Sequence, residues 1–453
     1  MKIDSLLGIS PLDGRYSAVN NELRYITSEY GLIKYRVYIE VEWFKHLSNT
    51  KNIPEIPKLS IKNIRYLNDL IDNFSIKDAN RVKAIEKRTN HDVKAVEYFL
   101  KEKFSKIRSL HKYSEFIHFA CTSEYINNLS YSLMIRDASK IITTNIQVVS
   151  KNLKLKARKF SNTPMLSRTH GQTASPTTMG KEFSNFVHRI NSISKSIQII
   201  KLKGKINGAV GNFNAHTVAY PKVNWELVSK KFIKSLGLEI NTHTTQVEPK
   251  DSIAELFLHY VRLNNVLIDL SRDMWGYISL GYFKQKLKKG EVGSSTMPHK
   301  VNPIDFENAE GNLGMANSVF QHLSNSVVIS RWQRDLTDST VMRNIGLCYG
   351  HTNLALHSLL KGLNKLEINK DQINKDLNNS WEVLTEAIQT VLRKHLVQDG
   401  YELMKDLSRG KQILREDLHQ FIDSTNLPLE EKQRLKNLNP STYIGIANKL
   451  AKS

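Results

Sequence analysis

The stretch from Thr122 to Thr163 constrains the fold most, because it contains neither proline nor glycine. These two residues interrupt helices most strongly. Thr122, Ser123 and Glu124 form a good helix start, since a hydroxyl side chain can cap the first turn and an acidic residue complements the helix dipole. The stretch predicts one helix of roughly 36 residues, about 54 Å long. A helix this long must be covered by neighbours along its length.

A second long helix is predicted between Pro249 and Gly290. Its apolar residues alternate spacings of three and four, which is a heptad pattern. Helices of this kind need partners from the same or other chains, so we expect a bundle core shared by an oligomer. The apolar positions are Ile253, Leu256, Tyr260, Leu263, Leu267, Leu270, Met274 and Tyr277.

Helical patterns also dominate the rest of the chain. Residues 1–111 predict a small helical domain, residues 112–365 a central long-helix bundle, and residues 366–453 a small helical third domain. No clear strand and no internal repeat is evident, so we expect an all-α protein.

Local signals predict several element boundaries. Ser75 with Asp78 forms a capping box, and Asn90 is expected to cap a helix whose apolar residues share one face. Residues 165–172 predict a loop, after which Ser175 and the proline that follows are expected to open another long helix.

A loop at 288–302, between two long helical patterns, carries the features of a catalytic loop. Two glycines free the backbone beside Ser294 and Ser295, and Asn302 with the proline after it predicts a helix start. The first turn of a helix favours an anion, and Lys300 adds a positive charge. On these local grounds alone, a surface connection between two helices is an equally good interpretation.

This loop resembles a known signature. Gly293-Ser-Ser-Thr-Met-Pro-His-Lys-Val-Asn-Pro303 is similar to the signature of the fumarase, aspartase and argininosuccinate lyase superfamily, whose members release fumarate. From Ser10-Pro-Leu-Asp-Gly-Arg-Tyr16 onward, the chain resembles the longer bacterial members that act on succinylated purine nucleotides. The resemblance implies three helical domains, a homotetramer built through the long-helix domain, and active sites shared between subunits.

Release of fumarate from a succinyl-amine requires a base, an acid and strong charge stabilisation. Ser294 resembles the family's base. His170, in Thr169-His170-Gly171-Gln172, resembles its acid, and a loop imidazole titrates near neutrality. The reaction needs no cofactor, and the sequence has no P-loop, dinucleotide fingerprint or metal-ligand spacing.

Substrate contacts are also implied by the resemblance. Arginine forks suit phosphate, and the densest arginine and hydroxyl cluster runs from Arg331 to Arg343. Read alone, that segment would be a solvated charged linker. His91 resembles a second site histidine, and Thr122 with Ser123 the pair that binds a substrate carboxylate. The full set comprises Arg15, Tyr16, Asn90, His91, Asp92, Thr122, Ser123, Gln246, Ser295, Lys300, Val301, Asn302, Asn308, Arg334, Ser339, Thr340, Val341, Met342 and Arg343.

The net charge of +21 leaves open a basic helical scaffold or an RNA-binding protein. The basic residues are spread along the chain with many Asn and Ile, so we attribute the charge to compositional bias and expect no nucleic-acid or membrane partner.

Within the superfamily, argininosuccinate lyase or aspartase is the nearest alternative, but the arginine cluster favours a phosphate-bearing nucleotide. Two cysteines, no long apolar run and no signal peptide predict a cytoplasmic protein.

Overall fold

The computed structural model describes residues 5–286, 297, 299–408 and 413–453. The chain forms two compact units, each built from three stretches. Unit 1 comprises residues 1–145, 193–265 and 311–357, and unit 2 comprises residues 146–192, 266–310 and 358–453. The division into three domains stays a prediction.

Short and medium helices build the N-terminal part of unit 1. Ser75 and Asp78 form the expected capping box at the start of one of them. In another, Val93, Val96 and Leu100 are buried on one face, as predicted. The helices are α1 (Asn21–Thr27), α2 (Glu29–Ser48), α3 (Ile61–Asp72), α4 (Ile76–Thr89), α5 (Asp92–Phe104) and α6 (Arg108–His111), with 3-10 turns at Ser5–Leu7 and Ser114–Phe116.

Long helices dominate the middle of the chain. The longest has 37 residues, which confirms the helix predicted from the missing breakers. The apolar heptad pattern is also confirmed as a buried face, since its residues from Ile253 to Met274 are buried. The helices are α7 (Ser123–Lys159), α8 (Met179–Ile199), α9 (Asn214–Ala219), α10 (Trp225–Ser235), α11 (Asp251–Ser279), α12 (Ile304–Ser326), α13 (Thr337–Met342) and α14 (Ile345–Lys365).

Shorter helices follow in unit 2. They are α15 (Lys370–Asn378), α16 (Thr385–Lys394), α17 (Gly400–Ser408), α18 (Arg415–Ser424), α19 (Leu429–Lys436) and α20 (Ala447–Leu450), with a 3-10 turn at Trp381–Leu384. The all-α class is thus confirmed. None of the described helices is long and apolar enough to cross a membrane.

Small two-stranded sheets correct the expectation that the chain has no strands. They pair β1 (Pro164–Thr169) with β2 (Gln172–Thr178), β3 (Lys203–Gly204) with β4 (Glu239–Ile240), and β5 (Phe283–Gln285) with β6 (Leu366–Ile368). The first pair is an antiparallel hairpin with an irregularity between Leu166 and Ser167. The helix expected to open at Ser175 therefore begins later, at Met179.

Each unit has its own aromatic core. In unit 1, Phe44 of α2 meets Phe104 of α5 edge to face, with ring centroids 4.9 Å apart. In unit 2, the rings of Phe160, Phe183 and Phe283 lie 6.2 to 6.4 Å apart. These cores hold the elements that carry the candidate site residues.

Candidate active site

The described candidate residues divide between the two units. Unit 1 holds Arg15, Tyr16, Asn90, His91, Asp92, Thr122, Ser123, Gln246, Arg334, Ser339, Thr340, Val341, Met342 and Arg343. Unit 2 holds His170, Lys300, Val301, Asn302 and Asn308. Ser294 and Ser295 lie outside the described residues, so their roles stay predictions.

His91 stands at the start of α5. The prediction that Asn90 caps this helix was wrong, because Asn90 closes α4 in a left-handed conformation with φ of 51°. His91 is the cap, and its Nδ1 accepts a hydrogen bond from the backbone N–H of Lys94 at 3.1 Å. An accepting Nδ1 leaves the proton of a neutral ring on Nε2. The side chain is 52% exposed, so this N–H can serve as a donor to a ligand.

Asp92 and Arg343 meet in a charge cluster that also contains Arg36 and Glu29. Asp92 Oδ2 accepts from Arg36 at 2.7 Å and from Arg343 at 2.9 Å. Arg343 also donates to Glu29 at 2.7 Å. Although burial opposes the effect, Arg36 and Arg343 lower the pKa of Asp92. We name Asp92, Arg343, Arg36 and Glu29 the Arg343 cluster.

The second cluster of unit 1 is almost fully buried. Lys250 Nζ donates to Asp338 Oδ2 at 2.7 Å and to Glu124 Oε1 at 3.2 Å. Arg334 donates to Asp338 Oδ1 at 2.8 Å and lies 3.5 Å from Glu124 Oε2. Burial raises the pKa of Glu124. For Asp338, Lys250 and Arg334 overcome burial and lower the pKa. We name Lys250, Glu124, Asp338 and Arg334 the Lys250 cluster.

Sequence reasoning assigned no role to Lys250, and took Glu124 only as part of a helix start. Lys250 lies 126 residues from Glu124 and 88 from Asp338, so no local pattern indicated these contacts. The available signals were two acidic residues, Glu124 after Ser123 and Asp338 before Ser339. A carboxylate that is buried needs a cation nearby, so these residues could have pointed to a buried partner such as Lys250.

Thr122 and Ser123 lie at the start of α7. The Thr122 hydroxyl oxygen is buried and has no hydrogen-bond partner among the residues that the structure describes. A buried hydroxyl without a partner is costly, so it is normally met by water or a ligand. His118 and Ala120, just before it, have φ of 60° and 55°. The orphan hydroxyl and the α7 dipole together suit a substrate carboxylate.

Gln246 is held by its backbone and its side chain. Its amide donates to the carbonyl of Ala209 at 3.1 Å. The ammonium of Lys205 donates to the carbonyls of Gln246 at 2.8 Å, Thr245 at 2.7 Å and Gly208 at 3.3 Å. Burial lowers the pKa of Lys205 to about 8. Lys205 therefore fixes the loop that presents Gln246.

Arg15 and Tyr16 belong to a chain of tight turns. Arg15 is exposed, with its guanidinium carbon 5.7 Å from the centroid of the Tyr16 ring. Asp13, two residues earlier, lines a cavity of about 230 Å³ together with Arg343. The N-terminal turns and the Arg343 cluster thus lie close together. The Met342 side chain is fully buried, so any contact it makes with a substrate must come from its backbone.

His170 occupies the tip of the β1–β2 hairpin in unit 2. Thr169 pairs with Gln172, and the two residues between them, His170 and Gly171, have φ of 52° and 77°. Positive φ at both central residues defines a type I′ turn, whose twist matches that of the strands. The imidazole is exposed at this tip. A tight turn therefore replaces the loop predicted over residues 165–172.

Side chains anchor this hairpin within unit 2. Arg168 donates to Asp376 of α15 at 3.0 Å, and the Tyr282 hydroxyl donates to the same carboxylate at 2.9 Å. On the other strand, Ser175 donates to Glu386 of α16. Arg168, two residues before His170, thus anchors the strand that carries the candidate acid.

The described end of the predicted catalytic loop leads into α12. Lys300 is exposed, and the carbonyl of Val301 accepts from Gln285 at 3.0 Å. The helix begins at Ile304, two residues after the predicted cap Asn302. Asn308, one turn into α12, accepts from the Ser358 hydroxyl at 2.7 Å. Among the described residues, no group of three or more His, Cys, Asp or Glu side chains could hold a metal ion.

Comparisons with known proteins give the family. A family model described as "Lyase" matches residues 14–320, and one described as "Adenylosuccinate lyase C-terminal" matches residues 330–444. The adenylosuccinate lyase of Buchnera aphidicola subsp. Schizaphis graminum is 52% identical over 451 residues, covering 99% of each chain. That of Escherichia coli strain K12 is 52% identical over 448 residues, covering 99% of this chain and 98% of the relative.

Solved structures agree on the fold alone. A fumarate lyase from Mesorhizobium sp. BNC1 has a TM-score of 0.76 at 18% identity, covering 95% of this chain and 96% of the other. The 3-carboxy-cis,cis-muconate lactonizing enzyme from Pseudomonas putida has a TM-score of 0.74 at 18% identity, covering 95% of each chain. With sequence identity above half along the whole chain and two matching family models, the chain belongs to the adenylosuccinate lyase family.

Proposed function

We propose that this protein is an adenylosuccinate lyase of purine synthesis. It eliminates fumarate from adenylosuccinate to give AMP, and from succinylaminoimidazole-carboxamide ribotide to give aminoimidazole-carboxamide ribotide. The observation that carries the proposal is the 52% identity to adenylosuccinate lyases over 99% of the chain. The Arg334 to Arg343 segment supports a phosphate-bearing substrate, because guanidinium groups bind phosphate through two parallel hydrogen bonds.

In this reaction a base removes the proton beside a substrate carboxylate, and the electrons of that C–H bond form the new double bond. The C–N electrons leave with the nitrogen, which takes a proton from an acid. Ser294 is the base and His170 the acid. The position of His170 at an exposed, anchored turn supports its role, since an acid must reach the leaving nitrogen and keep its place. Lys300 lies on the same loop as Ser294 and adds positive charge there.

Unit 1 supplies the binding groups. His91 offers an N–H donor, Thr122 an unpartnered hydroxyl and Arg343 a partly exposed guanidinium. Asp92 and Glu29 pair with Arg343. A phosphate can replace Glu29 as its partner because that carboxylate is 41% exposed.

The active sites are shared between the subunits of a homotetramer. Thr122 and Ser123 stand at the start of α7, whose 37 residues extend about 55 Å. Antiparallel packing of copies brings the start of one α7 beside the end of another. Exposed apolar side chains on the long helices support this packing, among them Leu155, Trp275 and Met315, which are 47 to 60% exposed.

We infer that the reaction takes place in the cytoplasm. Cys121 and Cys348 are both free thiols, as expected in a reducing compartment.

The direct test follows the absorbance of adenylosuccinate after purified protein is added, with and without a chelator. The proposal predicts conversion to AMP and fumarate that the chelator does not abolish. Activity only with argininosuccinate or aspartate would favour another fumarate-releasing lyase. Strongly salt-dependent nucleic-acid binding without any lyase activity would favour the basic scaffold.

A further inference from the structure

Lys250 is a buried charged residue of unit 1 to which the proposed reaction assigns no role. Its side chain is 2% exposed. Its backbone has φ of 62°, a conformation that residues other than glycine seldom adopt. All three ammonium hydrogens have acceptors, because Nζ contacts Asp338 at 2.7 Å, Glu124 at 3.2 Å and the Glu248 carbonyl at 3.2 Å.

The carboxylates that Lys250 contacts are the ones that Arg334 contacts. Asp338 accepts a hydrogen bond from Lys250 at Oδ2 and one from Arg334 at Oδ1. Glu124 accepts a hydrogen bond from Lys250 at Oε1, and its Oε2 forms an ion pair with Arg334. Two buried carboxylates therefore face two cations, and the cluster is neutral. Next to it, buried Lys205 and Glu248 add one charge of each sign.

The Lys250 cluster also joins segments that carry candidate site residues. Glu124 follows Ser123 at the start of α7. Asp338 precedes Ser339 and accepts its backbone N–H at 2.7 Å. Lys250 follows Gln246 by four residues and donates its own backbone N–H to Glu248 at 2.8 Å. One ammonium thus links three segments of the site.

We propose that Lys250 is a positioning residue that keeps Arg334 available to the substrate phosphate. Its ammonium balances one of the two buried carboxylates, so Arg334 does not have to neutralise both. Without it, one guanidinium faces two carboxylates, and the cluster carries a negative charge that repels the phosphate. This inference rests on the proposed function, since it assumes that Arg334 binds phosphate.

The test compares four proteins whose clusters differ in net charge. Glu124→Gln gives +1, the unaltered protein gives 0, the double variant Lys250→Met with Glu124→Gln gives 0, and Lys250→Met gives −1. The affinity for AMP, measured by calorimetry, should follow this order. Lys250→Met should bind AMP about tenfold more weakly than the unaltered protein, and the double variant should return to within about threefold of it.

Adenosine is the control ligand, because it lacks the phosphate. Its affinity should not follow the charge of the cluster. If Lys250→Met does not fold, as judged by circular dichroism, the other three proteins still decide. The double variant must match the unaltered protein, and Glu124→Gln must bind AMP at least as well.

A purely structural role predicts a different result. The double variant would then bind AMP and adenosine equally poorly, because it lacks the link between the three segments, and that result would overturn the inference. Failure of the proposed function is distinguishable, since the unaltered protein would then neither cleave adenylosuccinate nor bind AMP.

Discussion

Units 1 and 2 carry candidate residues of different kinds. In unit 1 they lie in or beside clusters of paired charges, where Asp92, Arg343 and Arg334 are held by other side chains. In unit 2, His170 is exposed at a hairpin tip and is positioned by backbone geometry and by anchors elsewhere in the strands. We propose that the difference reflects a division of labour. Paired charges suit binding of an anionic substrate, whereas an exposed imidazole on a rigid turn suits proton transfer.

The largest effect that this comparison predicts is on turnover. His170→Ala should lower kcat by at least about 100-fold, because it removes the proposed acid for the leaving nitrogen, while AMP still binds. Steady-state kinetics and AMP calorimetry measure the two quantities. The control is His188→Ala, which removes another exposed histidine of unit 2. A loss of AMP affinity as large as the loss of kcat would contradict the division.

The next effect concerns binding by unit 1. Arg343→Ala should raise KM for adenylosuccinate by about tenfold or more and change kcat less, because a charge-assisted contact to phosphate is lost in both ground and transition states. Arg272→Ala is the matched control, since Arg272 is 68% exposed and pairs with Glu310 in unit 2. An unchanged KM in Arg343→Ala would remove this arginine from the phosphate site.

A smaller effect tests whether the backbone of the hairpin turn positions His170. Gly171 has φ of 77° and open space around its Cβ position, so Gly171→Ala meets no clash but adopts a strained conformation. We expect a loss of about 1 kcal/mol in the free energy of unfolding. Gly311→Ala is the control, because this helical glycine also has open space and should gain up to about 1 kcal/mol. Equal effects of both substitutions in denaturant unfolding would argue against the strained turn.

A further comparison is the pH dependence of stability within unit 1. Burial lowers the pKa of Lys205 from 10.5 to about 8, so between these values the unfolded chain binds more protons than the folded chain. Stability rises with pH where the unfolded state binds more protons. The free energy of unfolding should therefore rise from pH 8 to pH 10.5 relative to a Lys205→Met variant. If the difference in the free energy of unfolding between the two proteins instead falls as pH rises, Lys205 keeps its proton in the folded state.

The sequence predicted best those elements that local patterns determine. The 37-residue helix α7 followed from missing breakers, and the buried seam of α11 from a heptad pattern. The β1–β2 hairpin was missed because its strands lack a clean alternation, contain Pro176 and turn at His170-Gly171 rather than at a common turn pair. Its stability comes instead from anchors such as Arg168 to Asp376, 208 residues apart.

Candidate site residues were identified by resemblance, whereas their partners were not. Spacing could not pair Asp92 with Arg343 across 251 residues, and it gave no reason to single out Lys250. Local rules also could not predict whether Asn90 or His91 caps α5, because both residues precede this helix. The left-handed backbone of Asn90 ends α4, which leaves His91 as the cap of α5.

The proposed sharing of active sites between subunits is tested most directly by mixing two inactive variants, His91→Ala from unit 1 and His170→Ala from unit 2. After subunit exchange by refolding or co-expression, about a quarter of the sites should combine two intact histidines, by random assortment in a symmetric tetramer. The control takes each variant alone through the same exchange procedure and should regain nothing. Recovery of lyase activity to about a quarter in the mixture only is the predicted result. No recovery despite demonstrated exchange would mean that one copy supplies both histidines, and would contradict the shared site.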